Sequence, residues 1–429
     1  MNKFKLLLVF ISFSPAVFSQ NLNRLIDAKE VERIEKVLSA DDMEGRKPGT
    51  SGIEKAASFI SSEFKSAGLK TFAGSSDYLQ KFAMVRPVLV SVSATVNGQP
   101  LDASKVMVVA SVADLSVTEK SGYDTASIKM GASIFSVASA LVQSGKNYLV
   151  AVDTTFATSF SRLSNFKRQL FKSGKNVVFI LANTVPETFN INATHNLNEM
   201  PMANVVGILP GRSKKDEYVV FSGHYDHLGI SRPVNGDSIY NGANDDAAGT
   251  TGVIMLAKYF ASLKNNERTI IFAAFTAEES GGFGSQYFSR QLDPVKVAAM
   301  FNIEMIGTES KWGKNSAYIT GYEKTNMGEI LQKNLTGSLF KFYPDPYTDQ
   351  QLFYRSDNAT LARLGVPAHT ISTSKMDAEP NYHKPSDEIG TLDMANMTEI
   401  IKAIAISSTS IVAGRDTPSR VDTTELRQR

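Results

Sequence analysis

The sequence predicts an α/β fold: a mostly parallel central sheet flanked by helices, with a smaller α+β domain inserted into it. Three observations carry this expectation. Strand-like and helix-like runs alternate over residues 201–415. Residues 22–70 space their apolar side chains three and four apart, as helices do. Residues 72–200 break instead into short β-like runs.

The chain opens with Lys3 and Lys5 and then a mostly apolar run, Leu6 to Phe18, interrupted by Ser12, Ser14 and Pro15. Val17 and Ser19 are small residues where a cleavage site would need them, so 1–19 reads as a secretory signal peptide. The run is too short to span a bilayer, and no later segment has the length. Leu22, Leu25 and Ile26, then Val31, Ile34, Val37 and Leu38, mark helical segments. A loop over 41–51 carries Gly45, Pro48 and Gly49. An amphipathic helix follows through Ile53, Ala56, Ala57, Ile60 and Phe64, and Gly68 is placed to stop it.

The inserted α+β domain is assigned to 73–199. Its strands are expected at 88–96, 105–112 and 148–152, with one helix near 159–173 before a strand at 176–182. The main domain is then discontinuous, 20–72 with 200–415. In its second part strands are expected at 217–222, 269–276, 297–304, 317–320 and 368–372. Helices are expected at 246–264, from 284, at 325–335, at 358–364 and at 394–413. The polar tail 416–429 is expected to fray.

The 429 residues include no cysteine and five histidines, with 45 Lys and Arg against 43 Asp and Glu. Without cysteine there are no disulfides, no thiolate nucleophile, no Cys-held zinc and no lipid anchor on an N-terminal Cys. Any metal must be held by His, Asp and Glu. Removal of the leader takes two lysines and brings the formal charge from +2 to zero, 43 against 43. That neutrality argues against a nucleic-acid partner. A lysine-led leader without cysteine implies an exported protein of bacterial type, periplasmic or secreted, with no membrane insertion once the leader is gone.

Five clusters of acid or histidine lie in the second half, four of them directly after an expected strand. Ligands of open α/β sheets gather outside the carboxyl ends of strands. In Ser222-Gly223-His224-Tyr225-Asp226-His227, a His and an Asp two residues apart supply an imidazole and a carboxylate able to fix its tautomer. In Asn244-Asp245-Asp246, Asp246 suits a helix N-cap and leaves Asp245 free to use both oxygens. Glu278-Glu279 follows an apolar strand, where unpaired carboxylates are costly; one can bind metal while the other takes a proton. Glu304 interrupts an apolar strand and so needs a partner. Tyr382-His383 adds a second imidazole with a tyrosine beside it. Each cluster alone has an ordinary structural explanation, but five in strand-end context make a hard donor set suited to zinc.

In this order, His-x-Asp, Asn-Asp-Asp, Glu-Glu, a strand-borne acid and Tyr-His-x-Pro-x-Asp, the chain resembles the M28 family of zinc peptidases, mostly aminopeptidases. The resemblance covers 30–70, with Met43-Glu44-Gly45-Arg46 and Pro48-Gly49-Thr50, and 200–410. The stretch 172–182 resembles a protease-associated insert. The family implies a zinc-peptidase fold, two zinc ions and peptide substrates. It implies His224 and Glu304 on one metal, Glu279 and His383 on the other, and Asp245 between them. It also implies Glu278 as general base, Asp226 orienting His224, Tyr382 beside the developing oxyanion, and a cis peptide at Asp245–Asp246. Glu304 departs from the Asp that many members carry, which puts the occupancy of its metal in question.

Two other functions compete. One is a glutaminyl-cyclase-like acyltransferase with one zinc; the other is a binding protein on the same scaffold. His227 is expected to make a hydrogen bond behind the ligands rather than a metal bond, and His369 to be a satisfied core histidine. Ser356-Asp357-Asn358 resembles a family loop near the site, with helix capping as the plain alternative. The aromatic-rich stretch 340–354 suits loop packing or the wall of a side-chain pocket.

Overall fold

The computed structural model describes residues 22–72 and 74–424; the expected leader, 1–19, lies outside them. The chain divides into two compact units, Met1–Gln80 with Ala203–Arg429, and Lys81–Met202.

In the first unit, helices α1 (Ala28–Leu38) and α2 (Ser51–Ser66) bury Val31, Ile34, Leu38, Ile53, Ile60 and Phe64 in one apolar cluster. The sheet uses the end of β1 (Phe189–Leu209), then β2 (Lys214–His224), β3 (Arg268–Phe275), β4 (Val297–Ile303), β5 (Ser316–Ile319), β6 (Lys341–Pro344) and β7 (Ala368–Ser372). Their spatial order is β6-β5-β7-β4-β2-β3-β1. β2 pairs parallel with β3 and β4, and β4 pairs parallel with β7. β1 joins β3, and β5 joins β7, antiparallel. The sheet is therefore mixed at its margins and parallel at its centre.

Every residue of β3 and β4 is buried, as for strands covered on both faces. That is why both read as continuous apolar runs. Phe221 of β2 stacks with Phe260, Phe272 and Phe301 at centroid distances of 5.5, 5.7 and 4.8 Å. Helix α3 (Ala248–Leu263) is buried along nearly its whole length. Gly249 permits this, since a Cβ there would lie 2.1 Å from the Ile303 carbonyl oxygen. The remaining helices used below are α4 (Phe283–Ser289), α5 (Met327–Asn334), α6 (Asn358–Ala362) and α7 (Met394–Ser407).

Three expectations change in this unit. Helix α3 starts at Ala248, because Asp245 and Asp246 are non-helical and joined by a cis peptide. The expected helix 394–413 breaks at Ser408, leaving α7 and a short turn, Thr409–Val412. The tail does not fray as far as Val421. Arg268 donates to the carbonyls of Ile411 and Asp416 at 2.8 and 2.7 Å, Arg420 donates to that of Val297 at 2.9 Å, and Val421 is buried.

The second unit holds a four-stranded sheet in the order Val106–Val109, Val177–Leu181, Tyr148–Val152, Asp124–Ile128. Its last three strands run parallel and Val106–Val109 is antiparallel. Its α-helix is Ile134–Gln143, capped by the Ser133 side chain, at a place where no helix was expected. The helix expected near 159–173 is a short turn, Ala157–Phe160, then a 3₁₀ stretch, Ser161–Lys167. Phe160 and Leu163, three residues apart, are the buried pair there, a spacing that suits three residues per turn.

Glu35 on α1 is fully buried and accepts from Thr251 Oγ1 of α3 at 2.8 Å, while its other oxygen has no partner. Burial pushes its carboxyl up to about 8, against the Thr251 bond and the Arg46 charge. A folded-state pKa above the unfolded value means the folded chain binds more protons, so stability falls as pH rises from about 4.5 towards 8. Glu35→Gln is expected to flatten that slope and to stabilise the protein at pH 8. Urea unfolding at pH 5 and pH 8 checks it; parallel slopes in both proteins would contradict it.

Candidate metal centre

The site is built at the carboxyl ends of the three central parallel strands. The chain leaves β2 for β3 on one side and later returns to β4 on the other, so β2 is the switch point where such sheets bind ligands. His224 ends β2, Glu278 and Glu279 follow β3, and Glu304 follows β4. Asp245 precedes α3 and His383 follows β7. Ala277, Met305 and His383 all have positive φ, at 59°, 51° and 55°. Such backbone costs about 1–3 kcal/mol at each residue and persists only where the surroundings enforce it.

Three side chains hold these ends together. Asp246 Oδ1 accepts from the N–H groups of Gly249 and Met305, both at 3.0 Å, and Oδ2 from His224 N–H at 3.1 Å. It thus serves the start of α3, as a cap would, and also ties β2 to β4. Asp387 accepts from Asn244 and Asp245 N–H at 2.8 and 3.0 Å. Arg46, fully buried, donates to the carbonyls of Leu38, Tyr225, Asn241 and Gly242 at 2.5 to 2.8 Å.

Asp245 lies between two imidazoles. Its Oδ1 is 3.2 Å from His224 Nε2, and its Oδ2 is 3.3 Å from His383 Nε2. Glu279 Oε2 is 3.1 Å from His383 Nε2, and Oε1 is 2.8 Å from His227 Nδ1. His227, Asp245 and Glu279 each bring a donor within 4.8 Å of the others. Burial alone would depress the His224 imidazole, but Asp245, Asp246 and Glu278 hold it well above its usual range. Burial pushes the Glu278 carboxyl well up, with Glu304, Asp357 and Glu279 adding to it and His224 opposing.

The cleft in front of these groups is lined by Asp245, Glu278, Glu279, Glu304, Tyr382 and His383, with Tyr318, Leu352, Arg355 and Met376 further along its wall. Tyr382 stacks on His383 at 3.9 Å and 21°. Glu304 is partly buried, Ser356 hydrogen-bonds it, and Asn302 donates to the Ser356 hydroxyl at 2.7 Å.

All eight site residues named from the sequence therefore gather at one end of the sheet. One expected contact changes. The nearer partner of His224 Nδ1 is the main-chain carbonyl of Asp226, at 3.1 Å, while the Asp226 carboxylate is 3.8 Å away. That carboxylate accepts instead from the Glu278 N–H at 3.0 Å. In a tight turn after the strand the carbonyl reaches the ring sooner than the side chain does. Asp357 is buried and makes no side-chain cap of α6. His369 is satisfied by Thr325 Oγ1 and the Thr320 carbonyl, both at 2.8 Å. From the 340–354 stretch, Leu352 reaches the cleft, while Tyr347 and Phe353 are buried. The sequence reading missed Arg46 and Asp387 as organisers. Each already lay in a quoted motif, but nothing in its spacing shows which backbone atoms it meets.

The donor set fits a metal. His224 Nε2, His227 Nδ1, Glu279 Oε1 and Glu304 Oε2 are buried without an aligned hydrogen bond, and such atoms cost about 1–3 kcal/mol each unless something satisfies them. Zinc at a hundredfold excess over its Kd is expected to raise the unfolding free energy by about 2.7 kcal/mol per filled site. Thermal melts with zinc and with a chelator check this; superimposable melts would contradict it.

Residues 204–407 match the family model described as peptidase family M28. A probable zinc metalloprotease of Pyrenophora teres f. teres is 37% identical over 108 residues, 25% of this chain and 23% of that protein. Leucine aminopeptidase 1 of Trichophyton rubrum is 28% identical over 211 residues, 47% of this chain and 56% of that protein. The matches thus span about a quarter and about half of these relatives' lengths. Among solved structures, a zinc aminopeptidase from Bacillus subtilis aligns with TM-score 0.54 at 17% identity, over 91% of this chain and 96% of that one. A glutaminyl cyclase of Porphyromonas gingivalis aligns with TM-score 0.51 at 12% identity, over 90% and 99%. At these identities the structural likeness shows the fold. Its segment 204–407 is thus similar to peptidase family M28.

Proposed function

We propose that the protein is an exported zinc aminopeptidase that removes N-terminal residues from peptides. The observation that supports this most directly is Asp245, whose two oxygens face two different imidazoles at 3.2 and 3.3 Å. In this reading His224 and Glu304 hold one zinc, Glu279 and His383 a second, and Asp245 lies between them. Bound there, the two ions would supply the Lewis acidity that polarises a peptide carbonyl and acidifies water.

Glu278 is the general base. It takes a proton from water as the oxygen attacks the carbonyl carbon, then passes it to the amine as the C–N bond breaks. The Asp226 carboxylate fixes the Glu278 backbone through the N–H it accepts. Burial, and then Asp245, Glu279 and Glu304, raise the Tyr382 hydroxyl pKa, so it stays protonated and able to donate to the oxyanion. The carboxylates lining the cleft favour a substrate bearing a terminal ammonium. The lysine-led segment before residue 20 supports a periplasmic or secreted setting.

Glu278→Gln is expected to lower kcat on aminoacyl-anilides by about 10²–10⁴-fold with metal content unchanged. Undiminished turnover would remove Glu278 as base. N-acetylated peptides are expected to resist cleavage; their hydrolysis would rule out an aminopeptidase. One tightly held zinc together with cyclisation of N-terminal glutamine would replace the peptidase reading by the acyltransferase.

A further inference from the structure

We infer that His227 is itself a metal ligand, the fourth protein donor of the ion that Asp245, Glu279 and His383 hold. The inference rests on the metal-centre reading above.

His227 is buried, and its Nδ1 lies 2.8 Å from Glu279 Oε1. At that distance an aligned hydrogen bond would ordinarily form. Here neither atom has one, and both are buried polar atoms without a partner. His224 Nε2 shows the same pattern 3.2 Å from Asp245. Two lone-pair donors held close, with no proton aligned between them, suit a cation that both can bind.

The surroundings agree. Glu279 stands between two imidazoles, Oε1 towards His227 and Oε2 towards His383. The two rings are 5.9 Å apart and inclined at 66°. Gly242 makes room for this arrangement. It has φ 56°, and a Cβ there would lie 2.5 Å from the His227 ring. A side chain at 242 would clash with the imidazole and with the Asp245 carbonyl oxygen, 2.2 Å from the same point.

The consequence is an unequal pair of sites. Structural zinc sites are closed by four protein donors, whereas catalytic ones keep a position open. Asp245, Glu279, His383 and His227 close one sphere. Asp245, His224 and Glu304 leave the other open. The first is the tightly held, organising site, and the second is where substrate and water have room.

The opposing reading is that His227 only donates a hydrogen bond that orients Glu279. Metal affinity would fall on substitution under either reading, so a count of ligating imidazoles is needed. Proton NMR of the full chain loaded with cobalt(II) supplies it, since each ligating imidazole contributes one hyperfine-shifted, exchangeable N–H signal. Three signals are expected, from His224, His227 and His383, falling to two in His227→Ala and in His227→Gln. Two signals in the unsubstituted protein would overturn the inference while leaving the metal centre intact. Failure to bind cobalt at all would overturn both, and the unsubstituted protein decides even where a variant does not fold.

Discussion

Too many carboxylates meet at one end of this sheet. Asp226, Asp245, Asp246, Glu278, Glu279, Glu304, Asp357 and Asp387 crowd around the ends of β2, β3 and β4, the five aspartates buried and the three glutamates partly so. Burial pushes the carboxyls of Glu304 and Asp226 up to about 7, and those of Asp357 and Asp387 to about 6. Asp245 and Glu279 are held low instead, because imidazoles facing them outweigh their burial. An isolated buried carboxylate is costly, and eight together make a strong demand for positive charge. Histidines meet that demand at the front, where a bound cation would add to them. Backbone N–H groups and the Arg46 guanidinium meet it behind.

The rest of the first unit answers to this demand. Asp246 and Asp387 spend their oxygens on N–H groups of the loops that carry the donors, so charge is stabilised and geometry set by the same bonds. Arg46 works in the opposite sense. It is a buried cation placed among four carbonyls, one at the end of α1 and three in loops, and it joins the N-terminal helical segment to the strand end that bears His224. Removing it would leave those carbonyls buried and unpaired, which is why a residue far from the donors in sequence belongs to their support. The positive φ angles of Ala277, Met305 and His383 show the chain held in uncommon conformations at the same place.

Much of this was legible beforehand. Apolar strands followed at once by acids stood out, because a carboxylate next to a buried run needs a reason. The alternation of strand and helix gave the parallel centre of the sheet, since each period is set by local geometry. Helix Ile134–Gln143 has no charged residue on any face, so its period is hard to separate from a strand's. The tail is polar in composition, yet backbone carbonyls there accept from the Arg268 guanidinium, which composition does not reveal. Asp226 was assigned to His224 by spacing, but the turn brings its carbonyl to the ring and its carboxylate to Glu278.

The sequence by itself determined the donor types and their order along the chain. Without cysteine, and with few histidines, a metal here has only imidazole and carboxylate to bind, and those sit after strands. Tertiary structure alone decided which donors meet. His224, Asp245, Glu279 and His383 span some 160 positions, and nothing in their spacing places both oxygens of Asp245 against different rings. The sequence places His227 behind the ligands, whereas the proposal above makes it one of them. Whether an imidazole supports a ligand or is one depends on a few tenths of an ångström and the direction of a lone pair. Those follow from packing against Gly242 and Glu279, which no local pattern encodes.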